Sequence, residues 1–165
     1  MIIKLNITLD HPTDVYREVK INADLSLEDL HHIIIDTFQL KKEEMAAFYL
    51  TNDEWEQGQE IPFLAMEEKV KEMKDIRIKD IFLKQDTLLY VNDFLILWRF
   101  MIEAEEIEQT TSMEGSQVVL SFGNMPNEAP DVQFVSDHDE YQDDDQDIFD
   151  DAMDEFNDFE EYDEY

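Results

Sequence analysis

No lysine or arginine follows Arg99: residues 100–165 hold 23 acids and no base, whereas residues 1–99 hold 20 acids and 12 bases. The end of the chain is the most acidic part, with 16 Asp or Glu among the 29 residues 137–165. At that density mutual repulsion opposes compaction. A folded body must therefore be assembled upstream, which divides the chain into a body at 1–135 and an acidic, largely disordered tail at 136–165. The composition, 43% hydrophobic and 12% aromatic, is too apolar for disorder throughout, and 165 residues leave room for about one domain. A segment without a base cannot neutralise phosphates, so direct nucleic-acid binding is excluded for the second half. The chain has no cysteine, which removes disulfides, thiolate metal sites and cysteine nucleophiles and suits a reducing compartment. The expected location is the cytoplasm, without membrane association. The opening residues lack an apolar run of signal-peptide length, and the apolar stretch 94–102 carries Arg99 and is far below the roughly 20 residues of a spanning helix.

Within the body, Ile3, Leu5, Ile7 and Leu9 alternate with polar residues, the period of a strand with one buried face. After turn residues at 10–14, Val15, Arg17, Val19 and Ile21 line one side of a returning strand, so the chain opens with a hairpin. Ser26 precedes Glu28 and Asp29 as an N-cap signal, and Leu27, Leu30, Ile34 and Phe38 form one stripe of a helix ending near Phe38. Residues 45–50 and 87–91 read as strands, and Pro62 argues for irregular structure at 57–65. Residues 66–74 read as a marginal helix, and 79–82 as a turn. From Phe94 to Glu105 alternation predicts one long strand, antiparallel to the strand carrying Tyr90. A polar linker at 109–116 leads to a last strand at 118–122. These pieces predict an α+β fold: an N-terminal β-hairpin crossed by a helix in a β-grasp-like start, followed by a mixed or antiparallel sheet.

Four stretches, Leu27-Glu28-Asp29-Leu30-His31 with Phe38, Ile78-Lys79-Asp80-Ile81-Phe82, Leu89-Tyr90-Val91-Asn92-Asp93-Phe94 with Trp98, and Gly123 with Ala129-Pro130, are similar to a small bacterial family. It was first noticed as the plasmid Ri open reading frame three and as a TnpR-like passenger of an insertion element. The resemblance runs over about residues 2–133 and implies a fold but no activity. This chain departs from the family pattern at Leu95, Ile96 and Phe100, where Gly, Asp and His are usual, so the polar site the family would imply is largely erased.

Individual residues support a site only weakly. Tyr90, Asp93, Trp98, Arg99 and His31 make one candidate pocket, with Asp93 as a candidate general base and Arg99 as a cation that needs a carboxylate partner. Asp93 is one such partner, yet no nucleophile or second acid is placed beside it. His32 and Asp36 at i, i+4 give two metal ligands, short of a typical zinc site. The acids from Asp137 fail the calcium-loop pattern, with Gln142 and Ile148 where Gly and Glu belong. No metal, cofactor or catalytic residue is expected. In the tail, Phe149, Met153 and Phe156 fall at i, i+4 and i+7, with Phe159 and Tyr162 beyond, a pattern that folds into one apolar stripe and one acidic face. The expectation is a non-enzymatic interaction protein whose tail engages a basic protein, as a mimic of nucleic-acid charge. The alternatives are a small-molecule or enzymatic site around Asp93, Tyr90 and Trp98, and a self-docking regulatory tail.

Overall fold

The computed structural model describes residues 1–109 and 112–127, so the tail segment with Phe149, Met153, Phe156, Phe159 and Tyr162 lies outside the described residues. The elements run β1 (Ile2–Leu9), β2 (Tyr16–Asn22), α1 (Leu27–Phe38), β3 (Ala46–Thr51), β4 (Gln57–Pro62), a 3₁₀ turn (Met73–Asp75), α2 (Ile78–Phe82), β5 (Thr87–Asn92), β6 (Trp98–Glu108) and β7 (Ser116–Phe122). The seven strands form one sheet in the order β4-β3-β5-β6-β1-β2-β7. Every strand pair in it is antiparallel. The fold is mostly β with some helix.

The opening hairpin pairs Ile3 with Ile21, Leu5 with Val19 and Ile7 with Arg17, so both expected apolar faces meet. α1 starts as its N-cap signal predicts. Ser26 Oγ accepts from the Asp29 amide at 3.1 Å while the Asp29 carboxylate accepts from the Ser26 amide at 2.9 Å, which satisfies two amides that a helix start leaves open. Its buried residues Leu27, Leu30, Ile34 and Phe38 share one core with Ile3, Leu5 and Ile7. Gln39 ends the helix in the left-handed conformation, φ 56°.

The centre of that core is an aromatic row. Phe48 pairs with Tyr90, Tyr90 with Phe100, and Phe100 with Leu9, across four neighbouring strands. Phe38 reaches the row from α1, its ring centroid 4.6 Å from that of Phe100. Arg17, buried on the same side, donates to the carbonyls of Tyr16 and Phe122 at 2.8 Å and of Thr37 at 3.3 Å. Its guanidinium lies 4.9 Å from the Phe38 ring centroid. One side chain thus ties β7 to the last turn of α1 and puts positive charge at the negative end of the helix.

Four local expectations are corrected. Residues 57–62 form β4 despite Pro62, which sits at the end of an edge strand where a missing amide breaks no ladder bond. Residues 94–97 are a turn, and the long strand begins only at Trp98. The expected marginal helix at 66–74 is replaced by irregular chain up to the 3₁₀ turn, and the expected turn at 79–82 is the helix α2. Gly123 has φ +74°, and a Cβ there would collide with the Asp14 carbonyl oxygen, which gives the glycine of the fourth matching stretch a steric reason.

Candidate functional site

β5 carries Tyr90 and Asn92 on the side of the sheet that faces α1, and the helix stripe brings His31 down onto them. His31 Nδ1 lies 2.7 Å from the Tyr90 hydroxyl, and Asn92 Nδ2 donates to that same hydroxyl oxygen at 3.2 Å. An amide nitrogen can only donate. The Tyr90 proton is free to go to His31, which accepts it in the neutral tautomer protonated on Nε2. Burial, with a smaller repulsion from His32, holds the imidazole down to about 4. Burial also pushes the Tyr90 phenol well above its ordinary value, an effect that the Asn92 bond only partly offsets. All three groups are uncharged at neutral pH. Their chemistry is that of positioned hydrogen-bond donors, since acid–base catalysis works best with groups that titrate near the working pH.

His31 also forms the floor of the larger surface feature. A groove of about 680 Å³ is lined by Met45, Phe63, Leu64, Met66, Val70 and Phe94, with Lys42, Glu43, Glu44, Glu60 and Glu67 around it. The Phe63 ring packs on His31, centroids 4.9 Å apart. The chain over 62–72 is held in shape by two bonds from backbone amides: Phe63 donates to the Ala46 carbonyl at 3.1 Å, and Ala65 to the Glu72 side chain at Oε1, also at 3.1 Å. That amide bond, aided by Lys74, holds the Glu72 carboxyl below its ordinary value.

The five residues proposed as one pocket do not meet. His31 and Tyr90 are bonded, whereas Asp93 and Trp98 line a separate cavity of about 170 Å³ with Leu40, Ile96 and Met125. Arg99 pairs across the sheet with Val91, one residue out of phase with Tyr90, and so lies on the opposite face. It makes no ion pair with Asp93, contrary to expectation. Its buried Nε has no hydrogen-bond partner among the described residues, and the Asp93 carboxylate is engaged elsewhere. Asp93, in the left-handed region at φ 62°, accepts from the Leu95 and Ile96 amides at 3.0 and 3.2 Å through Oδ1. Its own amide donates to the Met45 carbonyl at 2.8 Å. The residue builds the turn before β6. Asp93→Ala is expected to cost about 1–3 kcal/mol by orphaning two amides, and Asp93→Asn, which keeps the acceptor, well under half of that. Urea unfolding midpoints of the two variants check this. Equal losses would disprove the acceptor role.

His32 lies 3.9 Å from Glu28, and Asp36 3.9 Å from Lys42, so the pair at i, i+4 turns to other partners. Sequence reasoning missed the residues that make the groove. Their signal was the apolar run 61–66 between acidic clusters, which Pro62 caused to be read as loop only. The buried Asn92 amide, just past the strand read at 87–91, orients Tyr90.

The profile of the plasmid pRiA4b ORF-3-like protein family matches residues 1–165. The chain belongs to that family. The match extends beyond the four stretches to the acidic end, which the resemblance over 2–133 had left out. The family brings no activity with it. A solved structure described as a protein of unknown function, MM3350 from Methanosarcina mazei Go1, has a TM-score of 0.58 at 16% identity over 73% of this chain and 68% of that one. At that identity the likeness concerns the fold alone. No curated protein matches the chain. Among the described residues no helix is long and apolar enough to cross a membrane.

Proposed function

We propose that this chain is a non-enzymatic interaction protein of the cytoplasm whose acidic tail engages a basic protein in place of nucleic-acid phosphates. The observation that carries this reading is the charge segregation: 23 acids and no base after Arg99, interleaved with Phe149, Met153, Phe156, Phe159 and Tyr162. A tract that served only for solubility has no need of those aromatics, and a basic partner with an apolar groove accommodates both components. The small-molecule or enzymatic alternative around Asp93, Tyr90 and Trp98 has less support. Asp93 is committed to its turn, Tyr90 to His31 and Asn92, and the two lie in different places.

The test uses the full chain and two variants: one with every Asp and Glu of 137–165 changed to Asn or Gln, the other with Phe149→Ser, Met153→Ser and Phe156→Ser. Basic proteins retained by the native chain at low salt are expected to be released at raised salt, displaced by duplex DNA, and lost with the first variant. The second variant is expected to retain them more weakly. Equal retention by all three chains would refute the reading.

A further inference from the structure

We propose that the groove floored by His31 is a docking site for a basic amphipathic segment of another protein. This deepens the reading above, with which it shares the partner's positive charge, and it places a second point of recognition on the body. The apolar lining is unusually open. Met66 is 95% exposed, Leu64 69% and Met45 59%, and with Phe63 and Val70 they converge on one concavity. Several exposed apolar side chains gathered in one concavity, unlike a single exposed leucine, give an incoming apolar face a place to bury itself. Two of the lining residues are methionines, whose flexible, polarisable side chains adapt to varied apolar partners.

The occupant follows from the rim. Four carboxylates, on Glu43, Glu44, Glu60 and Glu67, stand around the apolar floor against the single ammonium of Lys42. An anionic ligand, a nucleic acid or an acidic lipid surface would meet net repulsion. A segment with leucine-like side chains on one face and Lys or Arg beside them would bury the first and pair the second. The bonds from the Phe63 and Ala65 amides keep the groove formed in the free protein, so binding does not carry the full entropic cost of ordering it.

The probes are two synthetic peptides of identical Leu and Lys content, one in helical amphipathic order and one scrambled, titrated calorimetrically into the full chain at raised salt. The chain is expected to bind the amphipathic peptide about tenfold more tightly than the scrambled one. Leu64→Ser with Met66→Ser, at exposed positions and without change of charge, should erase that preference. Glu43→Gln, Glu44→Gln, Glu60→Gln and Glu67→Gln together should reduce the salt dependence of amphipathic binding. The tail variant lacking carboxylates should keep the preference. Equal binding of the two peptides, or a preference that survives the serine changes, overturns the inference. A preference lost only in the tail variant does so too, and leaves the tail reading standing. Retention of basic proteins unchanged in the tail variant, beside a preference that only the serines erase, has the reverse meaning. Sedimentation at rising concentration covers the remaining occupant: self-association abolished by the serine changes would mean that a second copy fills the groove, and the inference would fail.

Discussion

Replacing Phe38 with alanine is expected to destabilise the body by about 3–5 kcal/mol, the cost of removing a buried aromatic ring and leaving a cavity that only partly relaxes. Phe38 is 1% exposed and stands where three parts of the molecule meet. Its ring packs at 4.6 Å on Phe100 of β6, and the Arg17 guanidinium of β2 covers it at 4.9 Å. It is also the last residue of α1, next to the left-handed Gln39, so the neighbouring backbone is poorly placed to slide into the void. Phe38→Leu, which keeps most of the volume, should lose less than half as much. The quantity to measure is the urea midpoint at unchanged slope, with Leu83→Ala as the control because Leu83 is 60% exposed. A Phe38→Ala loss no larger than that control would mean that α1 is not anchored through this ring.

The parts of the fold that were legible in the sequence are those whose signal is local. Alternation over 2–9 and 15–21 gave the hairpin with its register of faces, including buried Arg17, because the strands are sequential and one side of each is apolar. The Ser26 cap and the stripe ending at Phe38 gave α1 to within a residue. The turn at 93–97 was lost because Phe94, Leu95, Ile96 and Leu97 are as apolar as a buried strand. What breaks the strand is a backbone event, the left-handed φ of 62° at both Asp93 and Leu97, stabilised by side-chain acceptance at Asp93. The Asn92-Asp93 pair, between the strands read at 87–91 and from Phe94, is its visible trace. β4 failed for the opposite reason: its residues 57–60 are exposed and carry no alternation, so only pairing with β3 makes them a strand.

The site was less legible than the fold. His31 and Tyr90 are 59 residues apart, and periodicity places each on a buried face without stating that the two faces touch at those positions. Both are candidates in the sequence, yet for a pocket with Asp93, which the turn before β6 holds in a separate cavity. The groove depends on irregular chain at 62–70, whose path is set by bonds from Phe63 to Ala46 and from Ala65 to Glu72. No period announces such bonds.

The His31–Tyr90–Asn92 arrangement makes the body acid-sensitive in a defined window. Unfolded, the imidazole takes up a proton near its ordinary 6.5; folded, it does so only at about 4. Between those values the unfolded state binds more protons, so stability conferred by keeping His31 neutral is complete above the upper value and is lost as pH falls toward the lower one. At about 1.4 kcal/mol per tenfold change in proton affinity, the loss amounts to roughly 3 kcal/mol by the bottom of the window. The geometry explains why a proton is so unwelcome: charging Nδ1 would aim a second donor at a phenol oxygen that already accepts from Asn92, in a site where neither charge nor an idle hydroxyl proton can reach water easily. The raw pH profile of this chain also contains the relief of carboxylate repulsion, which acts in the opposite direction. The informative quantity is the difference in unfolding free energy between the native chain and His31→Asn, whose amide oxygen can still accept from Tyr90 but does not titrate. That difference is expected to be flat above pH 7 and to turn against the native chain between pH 6.5 and 4. An NMR titration of the His31 ring with a midpoint near 6.5 would show that the imidazole is not buried against Tyr90 and would remove the basis for the window.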